Sequence, residues 1–372
     1  MVSDFKYGDE AISSREVMIA LPAVTVGVGI LSLPREIALL TIGADGWIAL
    51  LVAGIMITLI TWMTSKLAAS YPGETFLSYS SKLVTKPISI LFSLILVMQS
   101  LLLSAYVIRV IAEIAKAYLF DRTPLEVISL TFLLVIVYAV SGSRAGLFRL
   151  NMLFLPIIVL ITFILSLFSF GWIEMDNFFP LFKTGVMDQI KASEISGLAF
   201  VGFNILFFYI TLVKDTKKVP KASVYGMLMV IGLYLLIFFV NLGVFGNAVT
   251  GNLVYPLIEL AKEIEIPGGF FERFDSFFFV IWIMSIFNTT TMSVDVSIYA
   301  LQPFIKLKKQ TLLFCMAPLI YIVGMIPEGS IEVAKLGTFI GYFGIISSSS
   351  ITLILFTISK IRRGRKKEDA TK

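Results

Sequence analysis

The chain has 372 residues, of which 58% are hydrophobic and 15% are charged, and its mean hydropathy is +0.93. These values lie far from those of soluble globular proteins and indicate a membrane protein with many spans. The sequence has no histidine and a single cysteine, Cys315. Serine–histidine and cysteine–histidine catalytic pairs, histidine-ligated metal sites and intrachain disulfides are therefore excluded.

The sequence gives no sign of nucleotide or nucleic-acid chemistry. No Gly-x-x-x-x-Gly-Lys-Ser/Thr run occurs, so we expect no ATP hydrolysis, no cofactor and no metal. The formal net charge of +5 is interpreted as a membrane-topology signal, because the basic residues flank apolar spans. Nucleic acid is therefore not an expected partner. Because carboxylates are sparse inside the spans, we expect no enzyme active site.

Runs of mostly apolar residues recur along the whole chain, each long enough to cross a bilayer core of about 30 Å. They predict a single membrane domain (1–372) with ten spanning helices and a basic tail at 361–372. The predicted spans are 14–40, 46–68, 87–118, 125–142, 148–171, 190–213, 221–246, 272–304, 311–327 and 334–360. Ser13 and Glu16 have the spacing of a capping box at the start of the first span.

The lysine and arginine residues predict the orientation of the chain. Most of the 30 basic residues fall on one side of the predicted spans. Basic residues are retained on the cytoplasmic face, so both termini are expected inside. The tail from Lys360 to Lys367 fits either contact with anionic membrane lipid or a simple stop-transfer anchor.

Glycine interrupts two of the apolar spans near their centres. Gly27 and Gly29 lie in the first span, and Gly202 lies in the sixth, almost half the chain later. Backbone groups freed by such breaks need partners in lipid, and broken helices at mid-depth form solute sites in secondary transporters. We therefore predict two inverted five-helix repeats, about 12–171 and 187–361, with the site at their junction. A single glycine pair would equally fit close helix packing.

Several short motifs resemble the B subunit of bacterial spore germinant receptors. They are Gly27–Pro34, Asp45–Trp47, Tyr71–Pro72, Asp121–Pro124 and Phe271–Ser276, together with Arg109, Glu113 and Trp282. The likeness runs from about residue 12 to 362. Its most specific parts are the Asp-Arg-Thr-Pro turn and the Phe-Glu-Arg-Phe-Asp-Ser run.

That family belongs to the amino acid–polyamine–organocation superfamily. The resemblance implies an all-α polytopic membrane protein of about ten transmembrane helices in a 5+5 inverted repeat, the LeuT-like fold of amino-acid transporters, with broken first and sixth helices. It also implies a nutrient sensor in the inner membrane of the dormant spore. Such a sensor binds a small-molecule amino-acid germinant and works with the A and C subunits of the receptor to trigger ion release.

An amino-acid site is expected where the two breaks meet. The ligand carboxylate should bind free amides near Val28, Gly29 and Ile30, at the start of the second half of the first helix. The ammonium should face carbonyl groups at the breaks near Thr25, Val26 and Phe200. In this superfamily the third and eighth helices complete the wall. The predicted ligand-binding residues are Thr25, Val26, Gly27, Val28, Gly29, Ile30, Gln99, Leu103, Phe200, Val201, Gly202, Asn204, Asn288 and Thr289. Asn204 occupies a place where relatives often carry a carboxylate.

Three of the charged residues within the apolar spans are candidates for a buried role. Arg109 and Glu113 are four residues apart on the third span and are predicted to form an ion pair with a structural or signalling role. Asp295 lies in the inner part of the eighth span and matches no family motif. Its sequence context fits a proton or cation site, and it equally fits a salt bridge with Arg15 or with a loop lysine.

Two function classes fit the sequence, namely a receptor subunit and an autonomous proton- or cation-coupled amino-acid transporter. A channel-forming subunit overlaps the first class. The receptor is favoured by the resemblance, and because the fifth span lacks the lysine that some proton-coupled relatives carry there.

The loop between the seventh and eighth spans carries apolar residues at helical spacing. Leu257, Ile258, Leu260 and Ile264 would share one face of a helix. This pattern predicts an amphipathic lid over the outer mouth of the site.

Overall fold

A computed structural model describes residues 11–263, 274–305 and 307–369. Within these ranges the chain forms α-helices joined by turns and short 3-10 segments, without a β-strand. The helices are α1 (Ser14–Thr25), α2 (Gly29–Ala38), α3 (Gly46–Ala68), α4 (Phe76–Leu83), α5 (Lys86–Tyr118), α6 (Leu125–Ser141), α7 (Arg144–Ser169), α8 (Val186–Leu198), α9 (Leu206–Tyr209), α10 (Val219–Asn252), α11 (Pro256–Glu263), α12 (Phe274–Leu301), α13 (Lys309–Met325) and α14 (Ser330–Asp369).

The helices correspond to the ten predicted spans. In the described part of the chain, α3, α5, α7, α10, α12 and α14 are each long and apolar enough to cross a membrane. Two bent pairs add two spans: α1 with α2, and α8 with the segment Phe203–Leu212. Helices α6 and α13 are apolar but have only 17 residues, the lower limit for a spanning helix. The short helices α4 and α11 lie between spans.

The first helix begins as its sequence predicts. The Ser13 hydroxyl accepts a hydrogen bond from the Glu16 N–H at 3.2 Å, and the Glu16 carboxylate accepts one from the Ser13 N–H at 2.6 Å. This reciprocal arrangement is a capping box, which satisfies two of the amides that a helix start leaves unpaired. Thr75 and Ser143 cap α4 and α7 with their hydroxyl groups.

Both ends of the described chain lie at the same end of the bundle. The Ile12 N–H donates to the carbonyl oxygen of Leu212 at 2.9 Å, and the Lys214 N–H donates to that of Ile12 at 3.2 Å. Near the end of α14, the Arg362 side chain donates to the carbonyl oxygen of Lys82 in α4. We call this end the basic face, and the opposite end, which carries α11 and the α7–α8 loop, the loop face.

Aromatic rings fill the bundle on the side of the basic face. Tyr79, Phe148, Phe203, Phe207 and Tyr209 are all fully buried. The Phe148 and Tyr209 rings meet edge to face with their centroids 5.0 Å apart, a favourable geometry for aromatic pairs. In the described residues, the half of the molecule towards the basic face is therefore closed by packed rings.

A single buried carboxylate fixes the α7–α8 loop to the turn before α3. Asp45 accepts hydrogen bonds from the backbone N–H groups of Phe182 at 2.5 Å, Lys183 at 2.8 Å and Thr184 at 2.8 Å. Gly43 in the same turn has a φ of +56°, and a Cβ there would lie 2.6 Å from a carbonyl oxygen of the loop. The turn therefore requires glycine.

We expect Asp45→Ala to release this loop from the bundle. Three amides lose a charged acceptor, and one hydrogen bond to a charged group contributes about 1.5–3 kcal/mol. Hydrogen exchange at residues 182–184 should become faster, and the thermal unfolding temperature in detergent should fall. Asp176→Ala, at an exposed position of the same loop, is the control and should change neither. Unaltered exchange in Asp45→Ala would contradict the assignment.

Helix α11 fits the predicted amphipathic segment of the loop face. Leu257, Ile258 and Leu260 are buried, as their helical spacing predicts. Ile264 and the first three residues of the run Phe271–Ser276 lie outside the described residues.

Candidate functional site

The first break separates α1 from α2 at residues 26–28, where the two helices bend by 58°. The amides of Val28, Gly29 and Ile30 find no acceptor among the described residues. The Leu31 N–H is the first to bond, to the Val28 carbonyl oxygen at 3.1 Å. The start of α2 therefore presents free N–H groups, which together with the helix dipole favour an anion.

The second break lies directly against the first. Helix α8 ends at Leu198, and the chain resumes a helical path at Phe203 after a 49° bend. Gly202 has a φ of +145°, a conformation that side chains disfavour. A Cβ at this glycine would lie 3.0 Å from Thr25 Oγ1. Glycine at this position thus allows the two breaks to touch.

A tyrosine on α10 links the two breaks. The Tyr234 hydroxyl lies 3.1 Å from the carbonyl oxygen of Thr25 and 2.8 Å from that of Ala199, and it can donate to either. Its ring packs edge to face on Phe200, with the centroids 5.0 Å apart. Tyr234 therefore holds the end of α1 and the end of α8 together.

Hydroxyl groups of α12 occupy further carbonyl groups of the first break. Thr289 donates to the carbonyl oxygen of Val24 at 2.8 Å, and Ser285 donates to that of Val26. Two of the three carbonyl groups that were expected to face a ligand ammonium, those of Thr25 and Val26, thus have side-chain donors in this structure. The third residue, Phe200, does not line the cavity described below. The expected free amides, in contrast, are present.

A cavity of about 320 Å³ extends from the two breaks towards the loop face. Its volume lies within the usual range for small-molecule sites, which begins at about 300 Å³. Helix α14 forms one wall, from Val333 to Tyr342, and Tyr106 of α5 forms part of another. Of the predicted residues, it is lined by Thr25, Gly27, Val28, Gly29, Leu103, Val201 and Thr289.

The remaining predicted residues lie behind the cavity wall. They are Val26, Ile30, Gln99, Phe200, Gly202, Asn204 and Asn288. Gln99 Oε1 accepts a hydrogen bond from the Ser348 hydroxyl of α14 at 2.9 Å, and Asn204 Nδ2 donates to Ser100 Oγ at 3.4 Å. Asn288 is fully buried, and its amide has no partner among the described residues. Gln99 and Asn204 therefore connect helices around the cavity.

Charged side chains line the cavity towards the loop face. Arg109 Nε and Glu113 Oε1 form an ion pair at 3.0 Å, and both side chains are largely buried. Glu113, Arg35 and Glu36 line the cavity together with Tyr255. Burial and the Glu113 carboxylate raise the pKa of the Tyr255 phenol to about 12, although Arg35 opposes the shift. The phenol therefore keeps its proton at neutral pH and is a hydrogen-bond donor at the mouth.

Single charge reversals of this pair should destabilise the protein, and the double reversal should restore it. Arg109→Glu or Glu113→Arg alone places two like charges side by side in a mostly buried site, at a cost of about 3 kcal/mol. The swapped pair can re-form, so thermal unfolding in detergent and ligand affinity should both recover. Lys191→Glu, in the exposed pair with Asp188, is the control. If the double variant is no more stable than the single variants and binds ligand no more tightly, these residues do not act through their ion pair.

Asp295 lies at the centre of an ion cluster near the basic face. Its side chain is 0% exposed. Oδ2 accepts hydrogen bonds from the Tyr209 hydroxyl at 2.6 Å and from Arg144 Nε at 2.9 Å, and Oδ1 lies 2.9 Å from Lys309 Nζ. The structure thus shows the salt-bridge alternative, with Arg144 and Lys309 as partners in place of Arg15. The cluster ties together α7, α9, α12 and α13.

Sequence reasoning overlooked several residues around the site. Tyr234 is a tyrosine near the centre of an apolar span, and a buried hydroxyl needs a partner. Ser285 lies one helical turn before Thr289 on the same face of α12. These two signals could have identified both donors. The contributions of Tyr106 and Tyr255 to the wall had no comparable local signal.

Comparison with known proteins gives the family and the fold. The family model described as Spore germination protein matches residues 11–361. The chain is 40% identical to spore germination protein GerLB of Bacillus cereus. The alignment spans 362 residues and covers 96% of this chain and 97% of the relative. It is 30% identical over 356 residues to spore germination protein YndE of Bacillus subtilis (strain 168), covering 95% and 98%.

Two solved transporter structures have the same fold. The structure of MhsT in complex with L-phenylalanine superposes with a TM-score of 0.69 at 14% identity, covering 94% of this chain and 89% of the other. Mhp1, a nucleobase-cation-symport-1 family transporter in a closed conformation, gives a TM-score of 0.71 at 14% identity, covering 94% and 78%. These matches confirm the predicted LeuT-like fold, and the chain belongs to the spore germination protein family.

Proposed function

We propose that the chain is the nutrient-sensing subunit of a spore germinant receptor and binds an L-amino acid between the breaks. One observation carries this proposal: the free amides of Val28 and Gly29 adjoin a cavity of about 320 Å³ at the junction of the two broken spans. The names of the relatives GerLB and YndE support a role in germination. The MhsT structure, which is a complex with L-phenylalanine, supports an amino-acid ligand for this fold.

In this proposal the two charged groups of the ligand have different partners. The carboxylate binds the free amides of Val28 and Gly29, where the helix dipole of α2 favours an anion. Because Tyr234 and Ser285 occupy the nearby carbonyl groups, the ammonium needs another acceptor. Thr25 Oγ1 is buried without a partner among the described residues, and Thr25 lines the cavity. Its hydroxyl oxygen is the acceptor that the structure leaves open.

Signalling then requires two states that bind the ligand with different affinity. Helix α14 lines the cavity between Val333 and Tyr342 and continues to the basic face. In our proposal, ligand binding changes the position of α14, and the A and C subunits read this change. The spore germination names of the relatives support placement in the spore inner membrane. The distribution of basic residues supports an orientation with both termini on the core side.

A binding titration tests this proposal. The purified chain in lipid nanodiscs is titrated by calorimetry with a panel of L-amino acids, and the matching D-amino acids are the controls. We expect saturable binding of one or a few L-enantiomers at one site per chain. If no L-amino acid binds to the folded protein, the proposal is wrong.

The second candidate is an autonomous amino-acid transporter, which the shared fold with MhsT and Mhp1 favours. The spore germination names of the relatives favour the sensor. The packed aromatic rings and the Asp295 cluster close the path towards the basic face in the described residues, which fits both candidates, because an alternating-access transporter is also closed on one side. Uptake of a labelled ligand into proteoliposomes by this chain alone would support the transporter. Binding without uptake would support the sensor.

A further inference from the structure

A basic groove of about 610 Å³ lies on the basic face, between the end of α3 and the start of α10. Lys66, Lys217 and Lys221 line it together with Trp62 and Tyr225. All three lysines are exposed, and none of them forms a salt bridge within the described residues. The groove therefore concentrates three uncompensated positive charges.

The neighbouring Lys218, unlike the three groove lysines, has a carboxylate partner. Its ammonium group pairs with Asp215 at 3.0 Å, and it does not line the groove. Lys217, one residue earlier, lies in the groove without such a carboxylate. A bound anion would supply the missing negative charge.

Aromatic rings place the groove at the level of the membrane interface. Lys66 Nζ lies 4.4 Å from the ring centroid of Trp62, and Lys221 Nζ lies 5.6 Å from that of Tyr225. Both distances are within cation–π range. Tryptophan and tyrosine are enriched where membrane helices meet the lipid headgroups. The three ammonium groups are therefore expected at headgroup depth.

Two exposed apolar stripes run from the groove along the outer surfaces of α3 and α10, towards mid-depth in the membrane. On α3, the exposed residues Ile55 and Leu59 share a face with Lys66. On α10, the exposed Leu228 shares a face with Lys221, since helix positions three, four, seven or eleven residues apart lie on one side. A ligand with a charged head and long apolar chains would match both the groove and the stripes.

We propose that this groove binds the headgroup of an anionic phospholipid. The phosphate lies among Lys66, Lys217 and Lys221, and the acyl chains follow the stripes of α3 and α10. Helix α10 begins at the groove, at Val219, so the positive end of its dipole adds to the attraction for phosphate. A free phosphate ion would use the lysines but would leave the apolar stripes unexplained. Basic pockets between membrane helices suit anionic lipid headgroups.

Native mass spectrometry of the full chain in a neutral detergent tests the proposal. The protein is titrated with phosphatidylglycerol, with phosphatidylcholine and with inorganic phosphate. We expect one phosphatidylglycerol to be retained per chain and to be displaced by neither of the other two. The variant Lys66→Gln/Lys217→Gln/Lys221→Gln should bind it roughly 100-fold more weakly, because each lysine near an anionic headgroup contributes about 1 kcal/mol.

The matched control is Lys86→Gln/Lys218→Gln/Lys308→Gln, which removes the same charge from exposed positions outside the groove. It should retain the lipid as the unaltered chain does. Equal losses in the two triple variants would overturn the proposal in favour of diffuse electrostatic attraction. Displacement of the lipid by inorganic phosphate at millimolar concentration would overturn it in favour of a free-anion site. Each variant must elute as a single symmetric size-exclusion peak, so that a lost lipid reports on the groove and not on unfolding.

Discussion

Gly27→Val is expected to weaken amino-acid binding roughly 10- to 100-fold, since overpacking a tight contact costs about 1–3 kcal/mol. A Cβ at position 27 would lie 2.5 Å from Thr289 Oγ1 and 3.2 Å from Thr289 Cβ. The first break would have to move away from α12. The bond from Thr289 to the Val24 carbonyl oxygen would then be lost, and the free amides of α2 would shift. Calorimetric titration with the ligand found for the unaltered chain measures the effect.

Gly232→Val is the matched control for this change. Gly232 also lies in a spanning helix, but a Cβ there would meet no atom within 4 Å. We expect unchanged affinity. The smaller substitution Gly27→Ala should also weaken binding, because its Cβ meets Thr289 Oγ1. Adding Thr289→Ala removes this oxygen and should restore part of the affinity. A folded Gly27→Val protein that binds as tightly as the unaltered chain would show that the ligand does not use the first break.

Asp295→Ala is expected to cause the largest loss of stability, about 3–5 kcal/mol. The substitution leaves the cationic groups of Arg144 and Lys309, whose side chains are 16% and 18% exposed, without their buried counter-charge. Unfolding in mixed micelles of neutral and denaturing detergent measures the change. Hydrogen exchange should also become faster at the ends of α7, α12 and α13 that the cluster joins.

Asp215→Ala is the control for Asp295. Asp215 also pairs with a lysine, Lys218, but at an exposed position, where such a pair contributes at most about 1 kcal/mol. If the two aspartate variants unfold at the same detergent fraction, the Asp295 cluster does not hold the basic face together.

The helix pattern and the breaks were predictable because their causes are local. A run of apolar residues is sufficient to predict a membrane span, and glycine inside such a run weakens the helix whatever lies around it. The capping box of Ser13 and Glu16 needs only four consecutive residues. The Arg109–Glu113 pair is likewise four residues apart on one helix. Each of these features is set by neighbours in the sequence.

The partners at the site were not predictable because they come from distant parts of the chain. The Tyr234 hydroxyl bonds a carbonyl group 209 residues earlier, and Thr289 reaches one 265 residues earlier. Arg144 lies 151 residues before Asp295. A single sequence shows that buried polar groups need partners but does not show which distant groups supply them. For this reason the prediction left free the carbonyl groups that the structure shows to be bonded.

Helix α14 gives the cavity a mechanical connection to the opposite end of the molecule. It is continuous from Ser330 to Asp369. Gly341 lies at the cavity wall, whereas Thr352 bonds the Thr64 hydroxyl at 2.7 Å and Arg362 contacts α4. Gly341 and Arg362 are separated by about 32 Å at 1.5 Å per residue. A rigid tilt of about 5° around Gly341 would therefore move Arg362 sideways by about 3 Å. If a solute binds as proposed, a small adjustment of α14 beside it would become, at the far end of the helix, a displacement as large as a hydrogen bond is long.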